Sequence, residues 1–308
     1  MISLILAKKI LSLFLVMALG IVLVRCGIVR SQDSKVLSMI SLYLVMPCVI
    51  ISSFQVEYQP EILNGLLLAL AASALLHLVL IVVVGFLGKV LKLDGVEETS
   101  LIYSNAGNLI IPIVTAILGK EWVIYTSAFL SVQLFLLWSH AKMKLCGEKG
   151  IDLKKILTNI NMIAIFAGVL LFLLRIQLPA PVQDAVDSIS SMVGPMGMLI
   201  LGMLIAEMDL KKLLSYHRRL WWITLLRLVG IPLIGIVLLK YSSLAALVPE
   251  GRTILLVTLL AICTPSASTL TQMAQVYGKD ADYASAINVV TTLLCIVTMP
   301  LMVALYQM

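Results

Sequence analysis

Apolar stretches of about 20 residues follow one another from end to end of this chain, each long enough to cross a hydrocarbon core of about 30 Å as a helix. A chain built this way has few options, because irregular backbone at membrane depth survives only when buried in protein or lining a wet cavity. The proportions agree: of 308 residues, 61% are hydrophobic and 12% charged, where a soluble domain carries roughly 25% charged residues. The longest polar stretch, Lys142 to Asn159, is a loop too short to form a soluble domain. The expectation is a multi-pass, all-α membrane protein embedded in a lipid bilayer. Lys8 and Lys9 precede a long apolar run ending in "RCGIVR"; it exceeds a secretory h-region and reads as a retained first helix. The five cysteines are scattered singly, with neither a metal-ligand pair nor a disulfide framework.

Reading apolar runs between charged punctuation gives about ten spans, at 10–29, 36–54, 62–88, 97–118, 121–141, 159–176, 184–206, 219–239, 253–276 and 283–306. Fifteen of the 22 Lys and Arg fall in the odd-numbered loops and six on the even side with the termini, leaving Arg227 inside span eight. Positive loops stay in the cytoplasm, so both termini are expected outside the cytoplasmic membrane. The net charge of +6 follows from these loops, and nucleic acid is not an expected partner.

Span four contains the run "SNAGNLIIPIV". Asn105, Gly107 and Asn108 are poor helix formers, and Pro112 removes a donor and clashes one turn back, so an interruption by Pro112 is expected. Span nine carries Pro265 in "CTPSAST", and each proline is followed by a Gly-Lys-acid turn, a Tyr and small residues ("LGKEWVIYTSA", "YGKDADYASA"). Spans two and seven pair through Pro47 and Pro195. Five spans per half give opposite orientations, so these matches point to two inverted five-helix repeats. Paired interrupted helices mark a midplane binding site in secondary transporters. Their freed N–H groups, at half-helix starts, favour an anion.

On these residues the chain resembles the auxin efflux carrier family, whose bacterial members include proteins described as malate and malonate permeases. Asn105, Gly107 and Pro112 match the family pattern in span four, while Ile110 replaces a Gly. Pro265, Ser266, Ala267, Ala274, Tyr277, Gly278 and Asp280 match the pattern of span nine, with Thr269 where Asn is usual. "TTLLCIVTMPL" resembles the family's last span. The resemblance implies a fold similar to bile-acid symporters and sodium–proton antiporters, with helices four and nine broken and crossing. It implies a scaffold of about 10–54 and 159–206, often dimeric, and a transport part of about 62–141 and 219–306 moving in an elevator-like cycle. A homodimer through the scaffold helices is expected, and H⁺ and Na⁺ stay open as coupling ions. Ile110 and Thr269 depart from the pattern at the crossing itself, so the substrate is not carried over.

The candidate substrate-binding residues are Asn105, Gly107, Asn108 and Pro112 at the first break, and Pro265, Ser266, Ser268 and Thr269 at the second. Asn288 and Thr291 lie three apart on one face of span ten, and the resemblance adds Gln133 in span five. Ser and Thr also return their hydroxyls to their own helix. Arg227 sits near mid-depth, where a charge costs at least about 2.5–3.5 kcal/mol; it would attract an anion or gate, or else make a fixed contact. His77 is a candidate proton relay, against a core imidazole bonded to its own surroundings. Glu97, Glu98, Asp280 and Asp282 begin helices, where acids favour the dipole. No cofactor and no metal is expected.

The leading expectation is therefore a secondary transporter of a small organic anion, a carboxylate such as malate, malonate or an auxin-like acid, working by alternating access. The alternatives are a proton- or sodium-coupled carrier of another solute and a non-transporting receptor. An intramembrane enzyme is disfavoured, because His77, His140 and His217 are isolated and no paired acids lie at mid-depth. ATP is not the direct energy source, since no P-loop pattern is present.

The charge bias gives a direct test of topology. In a Cys-free variant, a single Cys placed in the 142–158 loop should be shielded from impermeant thiol reagents in intact cells, and one appended beyond Met308 should be labelled. The reverse pattern would invert the orientation.

Overall fold

A computed structural model describes residues 2–147, 154, 157–206 and 218–308. Among these residues the chain is helical, and its only β feature is one isolated antiparallel bridge. In chain order the helices are α1 (Ile2–Arg25), α2 (Ser31–Ser53), α3 (Pro60–Leu91), α4 (Gly95–Ile102), α5 (Ala106–Ile117) and α6 (Lys120–Leu145). They continue as α7 (Ile160–Leu173), α8 (Ala180–Ala206), α9 (Arg218–Lys240), α10 (Gly251–Ile262), α11 (Ser268–Val276) and α12 (Ala281–Gln307). Among the described residues α2, α3, α6, α8, α9 and α12 are long and apolar enough to cross a membrane. They lie within a few residues of expected spans two, three, five, seven, eight and ten. Residues 148–153, 155 and 156 of the cytoplasmic loop expected at 142–158, and the segment holding His217, lie outside the described residues.

Local chemistry sets where the helices start. Asp94 Oδ1 accepts from the Glu97 amide at 2.8 Å and Glu97 Oε2 accepts from the Asp94 amide at 3.0 Å, a reciprocal capping box that opens α4. Asn159 caps α7 through the amides of Asn161 and Met162, and Asp280 caps α12 through the Tyr283 amide. Among the described residues, prolines explain two of three local widenings. The π turns Ser41–Val45 and Leu226–Gly230 each end two residues before a proline, Pro47 and Pro232. A proline cannot donate to the preceding turn and crowds its carbonyl, and a wider turn relieves that clash. Pro195 needs no such relief, because it is the third residue after the turn at Ser191–Met192, where N–H groups have no helical acceptor. The third π turn, Leu137–Ala141, has no proline near it.

The helices fall into two compact units. The first comprises Met1–Gln59, Gly107–Ser127 and Leu157–Ser215, and the second Pro60–Ala106, Ala128–Ile156 and Tyr216–Met308. In the first, α1 packs along the second half of α8 at glycine contacts: a Cβ on Gly202 would sit 2.0 Å from the Met17 carbonyl oxygen, and one on Gly20 would sit 2.5 Å from that of Leu199. The ring of Phe54, 2% exposed, fills the space over Gly168 of α7. In the second unit α3 buries Leu68, Ala69, Ala72, Leu76, Leu80 and Val84 while Leu67, Leu78, Val82 and Phe86 stay exposed. Apolar residues all round a helix suit one face packed in protein and the other in lipid.

The α1–α8 contact yields a test. Gly202→Val should force the two backbones apart, and overpacking of this kind costs typically 1–3 kcal/mol. Thermal unfolding of the purified variant should show a clear fall in midpoint; a midpoint equal to that of the parent would mean the close approach is dispensable.

Candidate functional site

Two breaks in helical structure lie in the second unit, and they meet. Helix α4 ends at Ile102, Tyr103 turns extended at φ −93°, ψ 131°, and α5 begins at Ala106. Helix α10 ends at Ile262 and α11 begins at Ser268. The first break therefore lies at Tyr103–Asn105, at the Asn105 end of the expected stretch, while Gly107, Asn108 and Pro112 sit inside α5. Short polar residues end the helix here, since Ser104 and Asn105 trade the helical ladder for other partners. Pro265 does lie within the second break.

The two breaks form a single antiparallel bridge, Ser104 opposite Ser266. The Asn105 amide donates to the Pro265 carbonyl at 2.8 Å and the Ala267 amide donates to the Tyr103 carbonyl at 3.1 Å. Neighbouring helices satisfy what the bridge leaves over. Gln133 of α6 accepts from the Ser104 amide at 3.0 Å and its hydroxyl at 2.8 Å through Oε1, and donates from Nε2 to the Ser104 carbonyl at 2.9 Å. Asn288 Nδ2 of α12 donates to the Ser266 carbonyl at 2.6 Å, and Thr291 Oγ1 accepts from the Ser266 amide at 3.2 Å. Each break is thus held by polar side chains of one adjacent long helix.

Arg227 closes the other side. It is fully buried on the π turn of α9. Nη1 donates to the Leu101 carbonyl at 2.8 Å; Nη2 donates to those of Thr264 at 2.7 Å, Ile262 at 3.1 Å and Pro265 at 3.4 Å. These oxygens belong to the last turns of α4 and α10 and the residues just after, where carbonyls lack helical donors and the dipoles end negative. Among the described residues Nε has no hydrogen-bond partner. The bonds Arg227 makes are backbone contacts.

The remaining expected residues are placed as follows. Asn105 is 9% exposed, and its Oδ1 accepts from the Ser268 hydroxyl at 3.4 Å. Ser268 and Thr269 are half-buried at the start of α11. A Cβ on Gly107, in the first unit, would sit 3.2 Å from the methyl tip of Met46. Asn108 and Pro112 lie in α5, and their side chains fall outside the described residues. His77 is fully buried with Nδ1 2.8 Å from the Ser73 carbonyl of its own helix, and its ring lies 4.9 Å from that of Phe129. No described hydrogen bond links His77 to the bridge.

Other polar contacts in the second unit were not foreseen from sequence. The Tyr103 hydroxyl is 2.9 Å from His140 Nδ1, a pair 37 residues apart with no local signal. Glu97, besides its cap, receives Arg219 Nε at 2.5 Å and the Tyr283 hydroxyl at 3.1 Å, and Lys144 pairs with Glu98 at 2.6 Å. The first unit holds a cavity of about 770 Å³, with Lys120, Glu121 and Asp187 among its charged lining and Val49, Ser53 and Ile111 among its buried lining. Asp187 accepts from Ser52 at 2.5 Å and pairs loosely with Lys120 at 3.7 Å. The volume is that of a small-molecule site. Among the described residues no cluster of His, Cys, Asp and Glu could hold a metal ion.

A family model described as a membrane transport protein matches residues 5–150 and 149–303, nearly the whole chain. No curated protein matches it.

The grip of Gln133 on Ser104 can be measured. Gln133→Leu leaves a buried amide and carbonyl without partners, at about 1–3 kcal/mol for each unsatisfied group. The midpoint of thermal unfolding should fall, and Gln133→Glu, which keeps the acceptors, should recover part of the loss. A Leu variant that melts with the parent would show that Ser104 finds other partners.

Proposed function

The chain belongs to the auxin efflux carrier family of membrane transport proteins, and from that premise we propose that it is a secondary transporter of a small organic anion. The substrate class is a carboxylate, such as malate, malonate or an auxin-like acid, moved across the cytoplasmic membrane by alternating access. The observation that carries this reading is the Ser104–Ser266 bridge, with the half-helix α11 beginning two residues after Ser266. Half-helix starts offer N–H groups and a positive dipole end to an anion. The run from Tyr103 to Asn108 and that from Cys263 to Thr269 contain no Asp or Glu, which favours an anion over a bare cation at this place. In this reading Asn105, Ser268 and Thr269 contact the substrate, while Gln133, Asn288, Thr291 and Arg227 fix the backbone around it.

The proposal includes the finer architecture. The paired breaks, each held from one neighbouring long helix, support two inverted five-helix repeats with crossing spans four and nine. An elevator-like movement, a homodimer through the scaffold helices and both termini outside the cytoplasm complete it.

Uptake of labelled malate, malonate and an indole carboxylate into proteoliposomes tests the substrate class. At least one should accumulate and show competition by the others. Asn105→Ala should remove one or two charge-assisted hydrogen bonds worth roughly 1.5–3 kcal/mol each, so apparent affinity should fall at least about tenfold. Uptake of none of the three, or full affinity in the Ala variant, would count against the reading.

A further inference from the structure

Four backbone carbonyls converge on one cationic group in the second unit: those of Leu101, Ile262, Thr264 and Pro265 around the guanidinium of Arg227. Carbonyl oxygens from unwound segments and helix C-terminal ends are the ligands with which discontinuous helices coordinate Na⁺ in other transporter folds. Here the same kind of oxygens is already engaged by a charge fixed to α9. The guanidinium is 0% exposed, and every hydrogen bond described for it runs to a backbone carbonyl.

We propose that Arg227 is a tethered cation occupying the place a free coupling cation would take, so that the crossing neither needs nor admits Na⁺ or K⁺. The charge balance supports this. Each helix C-terminus carries about half a negative charge, so the ends of α4 and α10 together match one guanidinium. A second cation would meet oxygens already donated to and an uncompensated positive charge. The planar fork of Arg also suits the task better than Lys, because it reaches several acceptors at fixed angles. The π turn under Arg227 contributes as well, since it adds a residue to the turn that carries the side chain. The inference rests on the transport reading only for its consequence, that uptake ignores Na⁺; the occupied carbonyl cluster can be probed without any substrate.

The test uses the purified full-length protein in detergent, with thermal unfolding followed by tryptophan fluorescence. The parent should melt at one midpoint in sodium, potassium and choline chloride of equal ionic strength. A sodium- or potassium-specific rise would overturn the proposal. Arg227→Ala should melt several degrees lower, and low-millimolar guanidinium chloride should raise its midpoint relative to choline chloride while leaving the parent unchanged, as mass action requires of a ligand that binds only the vacated site. A folded Ala variant that guanidinium does not raise would also overturn it. Should the Ala variant not fold, Arg227→Lys and Arg227→Met decide: the Lys protein should fold and the Met protein should not, and a Met protein as stable as the parent would refute the need for a cation. Malonate uptake by the parent should proceed equally in sodium and choline media. Loss of uptake in both media would count against the transport reading, with the melting experiments still deciding the role of Arg227.

Discussion

Breaking a helix at membrane depth leaves N–H and C=O groups that hydrocarbon cannot solvate, and each one unsatisfied costs several kcal/mol. The second unit is arranged around that constraint. Two breaks face each other, so the Asn105 and Ala267 amides find the Pro265 and Tyr103 carbonyls. Gln133, Asn288 and Thr291 take the groups of Ser104 and Ser266 that the bridge leaves over. Arg227 takes the carbonyls at the ends of α4 and α10. A break is tolerable here because long unbroken helices on either side bring amides, hydroxyls and one guanidinium to it.

The distribution of charge follows from the same economy of dipoles. Negative helix ends beside the bridge face a buried guanidinium, while the starts of α5 and α11 carry no acid. Acids appear instead at helix starts away from the bridge: Glu97 caps α4 and binds Arg219 and Tyr283, and Asp280 caps α12. Glu97 is 1% exposed, so its partners matter, because a buried carboxylate without a cation or donors would favour its neutral form.

Packing elsewhere depends on small side chains and on widened turns. Gly20, Gly168 and Gly202 let helices or a phenylalanine ring approach where a Cβ would collide. Without a hydrophobic drive between helices in lipid, such close approach supplies the van der Waals contact that holds them. The π turns before Pro47 and Pro232 keep α2 and α9 continuous despite a proline in each. The turn in α9 also carries Arg227, so one local irregularity both relieves a proline and bears the charge beside the bridge.

The long apolar helices were legible from sequence, because lipid demands apolar residues over a fixed length whatever the neighbours are. Helix starts at Asp94, Asn159 and Asp280 were also local, since a cap and its amide lie two or three residues apart. The presence of a break in "SNAGNLIIPIV" was legible too, with Asn105 in it, but not that Pro112 would stay helical. Pro112 is the stronger helix breaker by propensity, yet the chain opens at Tyr103–Asn105 because the bridge to Pro265, Ser266 and Ala267 gives those backbone groups partners. The partners of Arg227, Gln133 and Asn288 lie between 22 and 126 residues away. Sequence thus determined which residues were too polar for lipid. Only the tertiary structure decided that Arg227 binds carbonyls and that His140 meets Tyr103, because hydrogen bonds act over about 3 Å and only the packed chain sets such separations.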